Sequence, residues 1–218
     1  MIGLVRLTVT GRPAALPDSQ QPTRLLEGLR TIAAALEERA VPWALVGGLA
    51  VSIRTEPRFT RDVDIAVALD DDGAAESLVG GLLAGGFTLV LSLEQHALGR
   101  LAAVRLLPPG GPEEGVVVDL LLASTGIERE ICREAQAIEV VPGLIAPVAT
   151  AGHLVAMKLL AMAPDRPQDA VDLRALLSTL TDADRALARR AVEQIEVIGA
   201  NRGKALRDEL ERRLRDGS

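Results

Sequence analysis

Asp62 and Asp64 stand two residues apart in Asp62-Val63-Asp64-Ile65-Ala66-Val67-Ala68, a run that starts by alternating polar and apolar and then turns wholly apolar. On a strand that spacing puts both carboxylates on one face, with Cα atoms roughly 7 Å apart. Two carboxylates so placed repel unless a cation lies between them. Mg²⁺, or Mn²⁺ in its place, is the natural candidate, since such ions take hard oxygen ligands from carboxylates, waters and substrate phosphates. Asp119 is a third acid, the polar break in Val116-Val117-Val118-Asp119-Leu120-Leu121-Leu122. A carboxylate inside so apolar a run is costly to ionise unless a metal, a hydrogen-bonding partner or open water serves it.

Gly47-Gly48 supplies what an acid cluster lacks. Two glycines after a short apolar strand let the backbone approach an anion closely, and the N–H groups opening the next helix point toward a phosphate. The thirteen residues from Leu49 to Arg61 leave room for a helix and a return loop, so the glycines and the acid pair can meet at one edge of a sheet.

Other reactive residue types carry less. Arg54, Arg58 and Arg61 form a basic patch between the two motifs, suited to phosphate or acceptor binding and equally to a solvated surface. Neither His96 nor His153 has a Ser or Cys elbow nearby, so a histidine-based hydrolase is poorly supported, and His153 at a helix start reads as structural. Asp70, Asp71 and Asp72 precede a helical stretch and read as an N-cap and dipole complement.

The elements that must position these residues follow from periodicity. Residues 1–10 read as a short strand and 11–22 as a proline-bearing loop. Residues 23–39 repeat Leu25, Leu26, Leu29, Ile32, Ala33 and Leu36 at helical steps. Strand 43–47, helix 49–54, strand 62–68, helix 72–84 and strands 86–91, 100–107 and 115–122 come next. Pro108 to Pro112 reads as a hairpin connection, and a second hairpin joins 138–141 to 144–148 through Pro142-Gly143. Beyond residue 150 the pattern is helical: 150–162, 167–178, 181–196 and 201–215. The expected division is a catalytic domain at 1–149 and a helical domain at 150–218 that contributes to the site.

Composition narrows the function classes. Aromatics are 1% of the 218 residues, so base stacking has little to work with. A net charge of -6 argues against a nucleic-acid-binding module held by counterion release alone. The acidity lies in residues 1–180, which carry -7, while residues 181–218 carry +1. Divalent cations, not the protein, would then neutralise a phosphate substrate. Cys132 is the only cysteine, excluding an intrachain disulfide, and reads as a buried, unreactive thiol. No secretory signal pattern is present, and the uncharged window 78–93 holds four glycines, so a cytoplasmic protein without a membrane span is expected.

The segments Leu45-Val46-Gly47-Gly48-Leu49-Ala50-Val51, Thr60-Arg61-Asp62-Val63-Asp64-Ile65 and Val118-Asp119 resemble the signature of the polymerase-β-like nucleotidyltransferase superfamily. Within it, the run from His153 through Lys158 to Ala161 and the stretch Arg166-Pro167-Gln168-Asp169-Ala170-Val171-Asp172 resemble the AbiEii/AbiGii-type nucleotidyltransferase toxins. The resemblance implies an α/β (α+β) fold, a minimal nucleotidyltransferase mixed β-sheet flanked by helices, with a C-terminal helical bundle. It implies transfer of a nucleoside monophosphate from an NTP to a hydroxyl. Asp62, Asp64 and Asp119 would hold Mg²⁺ or Mn²⁺, and Gly47, Gly48, Arg61 and Lys158 would bind the nucleotide. Asp169 would orient Lys158 or complete the site. The turn departs from Gly-Ser members in lacking the serine hydroxyl. The favoured acceptor is a tRNA 3′ end, in a toxin with a cognate antitoxin. A small-molecule, aminoglycoside-like transferase and a non-catalytic nucleotide-binding module stay open.

Overall fold

A computed structural model describes residues 21–95, 100–110 and 116–216; the expected strand at 1–10, residues 11–20 of the expected loop at 11–22 and His96 lie outside these, and residues 21–22 belong to the first helix. The elements are α1 (Gln21–Glu38), β1 (Trp43–Val46), α2 (Gly47–Arg54), β2 (Asp62–Val67), α3 (Asp72–Ala84), β3 (Thr88–Gln95), β4 (Arg100–Leu107), β5 (Val117–Leu121), α4 (Glu128–Glu134), β6 (Gln136–Val141), β7 (Leu144–Val148), α5 (Ala151–Ala161), α6 (Pro167–Thr179), α7 (Asp182–Val197) and α8 (Leu206–Asp216). The strands form one mixed seven-stranded sheet in the order β3-β4-β5-β2-β1-β7-β6. β2 with β5 and β1 with β7 are parallel, and the remaining neighbours are antiparallel.

This is the mixed α/β architecture expected, with strand and helix boundaries within a few residues for most elements. Three features differ. α4 matches no element expected from periodicity: it is seven residues long, largely charged, and opens on Ile127 without a capping side chain. The last helix begins at Leu206 rather than 201, after a turn through Asn201 to Gly203. α2 begins at Gly47 itself, so the glycine pair is the helix's first turn and not a separate loop before it.

Burial explains how the sheet presents the acids. Val63, Ile65 and Val67 on β2, and Val118 and Leu120 on β5, are buried and alternate with Asp62, Asp64 and Asp119. Strand side chains alternate faces, so the apolar set anchors one face while the acids share the other. Against the sheet pack α1, which touches β2 and β5, and α4, which touches β1 and β2. α5 packs on α6, α7 and α8 and reaches α2. Gly152 lets α5 approach α7: a Cβ there would lie 2.5 Å from the Asp184 carbonyl oxygen.

Asp71 caps α3, its Oδ1 accepting from the Ala74 N–H at 2.8 Å, with Asp72 in the first turn. Cys132 is half-buried where a buried thiol was expected; the thiol donates to the Ala66 carbonyl, and burial pushes its pKa up to about 12, which disfavours the thiolate. Among the described residues, no helix is long and apolar enough to cross a membrane.

Candidate active site

β2 and β5 run parallel in a register that sets Asp64 beside Asp119, and β1 runs antiparallel with Val46 opposite Asp64. The chain leaves β1 through Gly47, whose φ of +62° is left-handed. Glycine is required there for space as well as conformation. A Cβ at Gly47 would sit 1.9 Å from Asp64 Oδ2. The backbone N–H of Gly48 pulls the Asp64 pKa down, so the helix start acts on an acid where a phosphate contact was expected. A Cβ at Gly48 would lie 2.7 Å from Arg58 Nη2 and 2.8 Å from Thr60 Oγ1.

The acids oppose each other's ionisation. Burial, then the charges of Asp119 and Asp62, push the Asp64 pKa up to about 6 against the pull of Lys158 and the Gly48 N–H. Burial raises Asp62 as well, with Arg105 pulling it back and Asp119 adding to the rise. Three carboxylates with this much mutual repulsion form a site that a cation would relieve.

One such cation belongs to the chain. Arg105, on β4 directly across from Asp119 on β5, donates from Nε to Oδ1 at 2.8 Å and from Nη2 to Oδ2 at 2.7 Å. Its guanidinium pKa is raised, first by that hydrogen bonding to Asp119. The sequence carries no signal for this role: an arginine in Arg100-Leu101-Ala102-Ala103-Val104-Arg105 reads as an ordinary strand charge until its partner across the ladder is known.

Lys158 comes to the same place from α5. Its Nζ lies 2.8 Å from Asp169 Oδ1 and 2.8 Å from Asp172 Oδ2, both on α6. Asp172 also accepts from Arg58 Nη2 at 2.7 Å and Gln168 Nε2 at 3.0 Å, and Arg166 Nε approaches Asp169 Oδ2 at 3.0 Å. Lys158, Asp169 and Asp172 are all buried. This network ties α5 and α6 to the loop between α2 and β2, and Asp172 is its least expected member. Arg54 is structural, donating to the carbonyls of Ala149 and Val148 and to Gln136 Oε1. Arg61 is exposed, with its guanidinium 5.5 Å from the centre of the Phe59 ring.

A cavity of about 380 Å³ opens over the acids. Gly47, Asp64, Asp119, Lys158 and Asp169 line it, so five of the residues singled out in the sequence meet there. Arg61, Gly48 and Asp62 are not among its lining; Asp62 is linked to the lining acids by the charge of Asp119 acting on it. Leu91, Leu93 and Leu121 from the sheet and Leu154, Met157 and Leu160 from α5 make its apolar wall, while Arg105, Arg166 and Arg202 add cations.

Residues 30–217 match the family described as nucleotidyl transferase AbiEii toxin, type IV toxin–antitoxin system. The chain belongs to this family. It is a nucleotidyltransferase. Among solved structures, it is similar to an antigenic nucleotidyltransferase-like protein from Paracoccidioides brasiliensis (TM-score 0.53, 17% identity, 93% of this chain and 95% of the other). It is also similar to ANT(2″)-Ia in complex with adenylyl-2″-tobramycin (TM-score 0.50, 17% identity, 88% of this chain and 98% of the other). At these identities the likeness is one of fold. No curated protein sequence matches the chain at a significant level. This AbiEii-family member carries its acids on adjacent central strands and the Lys158 network on the helices behind them.

Proposed function

We propose that this AbiEii-family chain moves a nucleoside monophosphate from an NTP to an acceptor hydroxyl, pyrophosphate leaving, and that the acceptor is a tRNA 3′ end. The observation that carries the reaction is the register of Asp64 against Asp119, with Asp62 on the same face and Gly47 closing over Asp64. The family's description as a toxin supports the toxin role and a cognate antitoxin. We further propose the division into a catalytic domain, 1–149, and a helical domain, 150–218, with the site drawing on both.

The donor set fits a divalent cation, Mg²⁺ or Mn²⁺: all oxygens, with burial and then the neighbouring carboxylates raising the Asp64 pKa, and burial raising that of Asp62. Asp62, Asp64 and Asp119 would hold it, and when bound it supplies charge to the phosphate and to the attacking oxygen. The chain's own groups do the rest. Gly47 and Gly48 bring backbone close to the triphosphate, and Lys158, held by Asp169 and Asp172, sets a fixed positive charge in the cavity wall. Arg61, whose charge acts on Asp62, adds positive charge beside the acid pair. An Asp119 oxygen, once released by Arg105, takes the proton of the acceptor hydroxyl.

The cavity's cations, Arg105, Lys158, Arg166 and Arg202, suit a polyanion such as an NTP or an RNA end. A polycationic aminoglycoside acceptor is the alternative that the overall acidity, and Asp64, Asp119 and Asp169 in the same lining, keep open. Incubation with Mg²⁺, each labelled NTP and total RNA tests the proposal. Label is expected in tRNA and absent with Asp62→Ala or Asp119→Ala; absence of transfer to any acceptor together with absence of metal-dependent NTP binding would overturn it.

A further inference from the structure

Away from the cavity, α4 and α5 bring together a second set of metal-ligating groups. Glu130 and Glu134, four residues apart on one side of α4, and His153 on α5 offer ligand atoms that all lie within 4.8 Å of one another. His153 is fully buried, and its Nδ1 is engaged by Thr150 Oγ1 at 3.0 Å. That leaves Nε2 as the available ring nitrogen, and Nε2 is buried with no hydrogen-bond partner. A buried, unpartnered imidazole nitrogen is costly unless something is to be bound. Carboxylates stand close by without completing a hydrogen bond to it, at a spacing on the scale of two metal–ligand bonds end to end, roughly 4 Å.

We propose that Glu130, Glu134 and His153 form a binding site for a transition-metal dication of the Zn²⁺ type, distinct from the acid cluster on the sheet. The donor chemistry selects the ion class: two carboxylates with one imidazole suit Zn²⁺, whereas Mg²⁺ prefers oxygen alone. The Thr150 contact supplies the partner on the far ring nitrogen that metal-bound histidines regularly have.

Two arginines face this cluster. Arg133 Nη2 lies 3.2 Å from Glu134 and 3.9 Å from Glu130, and Arg190 Nη2 lies 3.8 Å from Glu134. They serve the carboxylates when no metal does. Their side chains are 69% and 57% exposed, so both can swing into solvent at small cost when a dication displaces them. The bound ion would clamp α4, which packs on the sheet, to α5, the helix that carries Lys158.

The test uses the full chain carrying Asp62→Ala and Asp64→Ala, so that the sheet acids contribute no binding. After chelation, equilibrium dialysis against Zn²⁺ is expected to give one equivalent bound, with a rise in Tm on adding the metal. Glu134→Gln in that background, a change at a partly exposed site, is expected to keep the metal-free Tm while weakening binding by at least about tenfold. His153→Gln is expected to abolish binding, with circular dichroism confirming the fold. Absence of a bound equivalent in the background protein, or unchanged affinity in Glu134→Gln, overturns the site.

Discussion

Arg105 grips Asp119 with a two-pronged hydrogen bond across the β4–β5 ladder, Nε and Nη2 each taking one carboxylate oxygen. Both oxygens of the third acid are therefore occupied by a residue of the same chain. A divalent cation must share them or displace the arginine. Arg105 is 40% exposed and has solvent to move into, so the exchange is feasible, and the pair is worth on the order of 1 kcal/mol after screening. Arg105→Ala is expected to lower the half-saturating Mg²⁺ concentration for nucleotide transfer by about fivefold, the same energy expressed as affinity. It is also expected to lower Tm in chelator, because the acids lose their internal counter-charge. An unchanged or increased Mg²⁺ requirement would show that Arg105 does not compete for the site.

The two glycines are expected to differ sharply. At Gly47 an added methyl meets the Asp64 carboxylate itself, at 1.9 Å from Oδ2 and 2.4 Å from Cγ, in a backbone conformation that L residues rarely adopt. At Gly48 the nearest atoms are the ends of the Arg58 and Thr60 side chains, so an added methyl presses on the Arg58–Asp172 pair and not on the acid itself. Gly47→Ala should cost about a hundredfold or more in turnover by displacing Asp64. Gly48→Ala should cost much less. Single-turnover rates of the two variants, with circular dichroism to confirm folding, check the order.

What can be read from the sequence, and what cannot, divides by the reach of the interactions. Asp62 and Asp64 declare themselves because strand geometry is local, and Asp119 because an acid in an unbroken apolar run must be served by a metal, a partner or water. Strand order, and hence the meeting of Asp64 with Asp119 side by side, depends on pairing over more than fifty residues, and only the family resemblance anticipates it. Arg105 is invisible for the same reason: its partner is chosen by register between β4 and β5. Asp169 and Asp172 can be placed on one face of a helix from their spacing, but not against Lys158 and Arg58, which arrive from separate elements. Glu130 and Glu134 escape notice because α4 is too short and too charged to show a period.

The Lys158 network should make the fold acid-sensitive. Burial alone would raise the Asp172 pKa, but hydrogen bonds from Lys158, Gln168 and Arg58 outweigh it and hold the carboxyl below its usual range. An acid depressed in this way stabilises the folded state above its unfolded pKa of about 3.8, and that stability is lost as pH falls through the native value. Wild type should therefore lose Tm steeply below pH 4, and Asp172→Asn should flatten that limb. At pH 7 the substitution leaves Lys158 and Arg58 with one uncharged partner, and Asp172→Ala, which removes even that, should cost about 3 kcal/mol in urea denaturation. A variant indistinguishable from wild type at both pH values would mean that Asp169 alone satisfies the lysine.

Asp64 has the opposite sign. Its native pKa of about 6 lies above the ordinary 3.8, so the protonated acid favours the fold at low pH, and that contribution disappears as pH rises through about 6. At pH 7.5, without metal, the ionised carboxylate is buried and also held beside Asp119 and Asp62, and opposes folding by about 3 kcal/mol, at roughly 1.4 kcal/mol for each tenfold change in proton affinity. Asp64→Asn should thus be more stable than wild type in chelator at pH 7.5, with the difference shrinking toward pH 4. Adding Mg²⁺ at pH 7.5 should raise the Tm of wild type and leave the variant nearly unmoved. Equal pH profiles for the two proteins in chelator would show that the three carboxylates do not repel one another in the native state, and would remove the electrostatic argument for a cation among them.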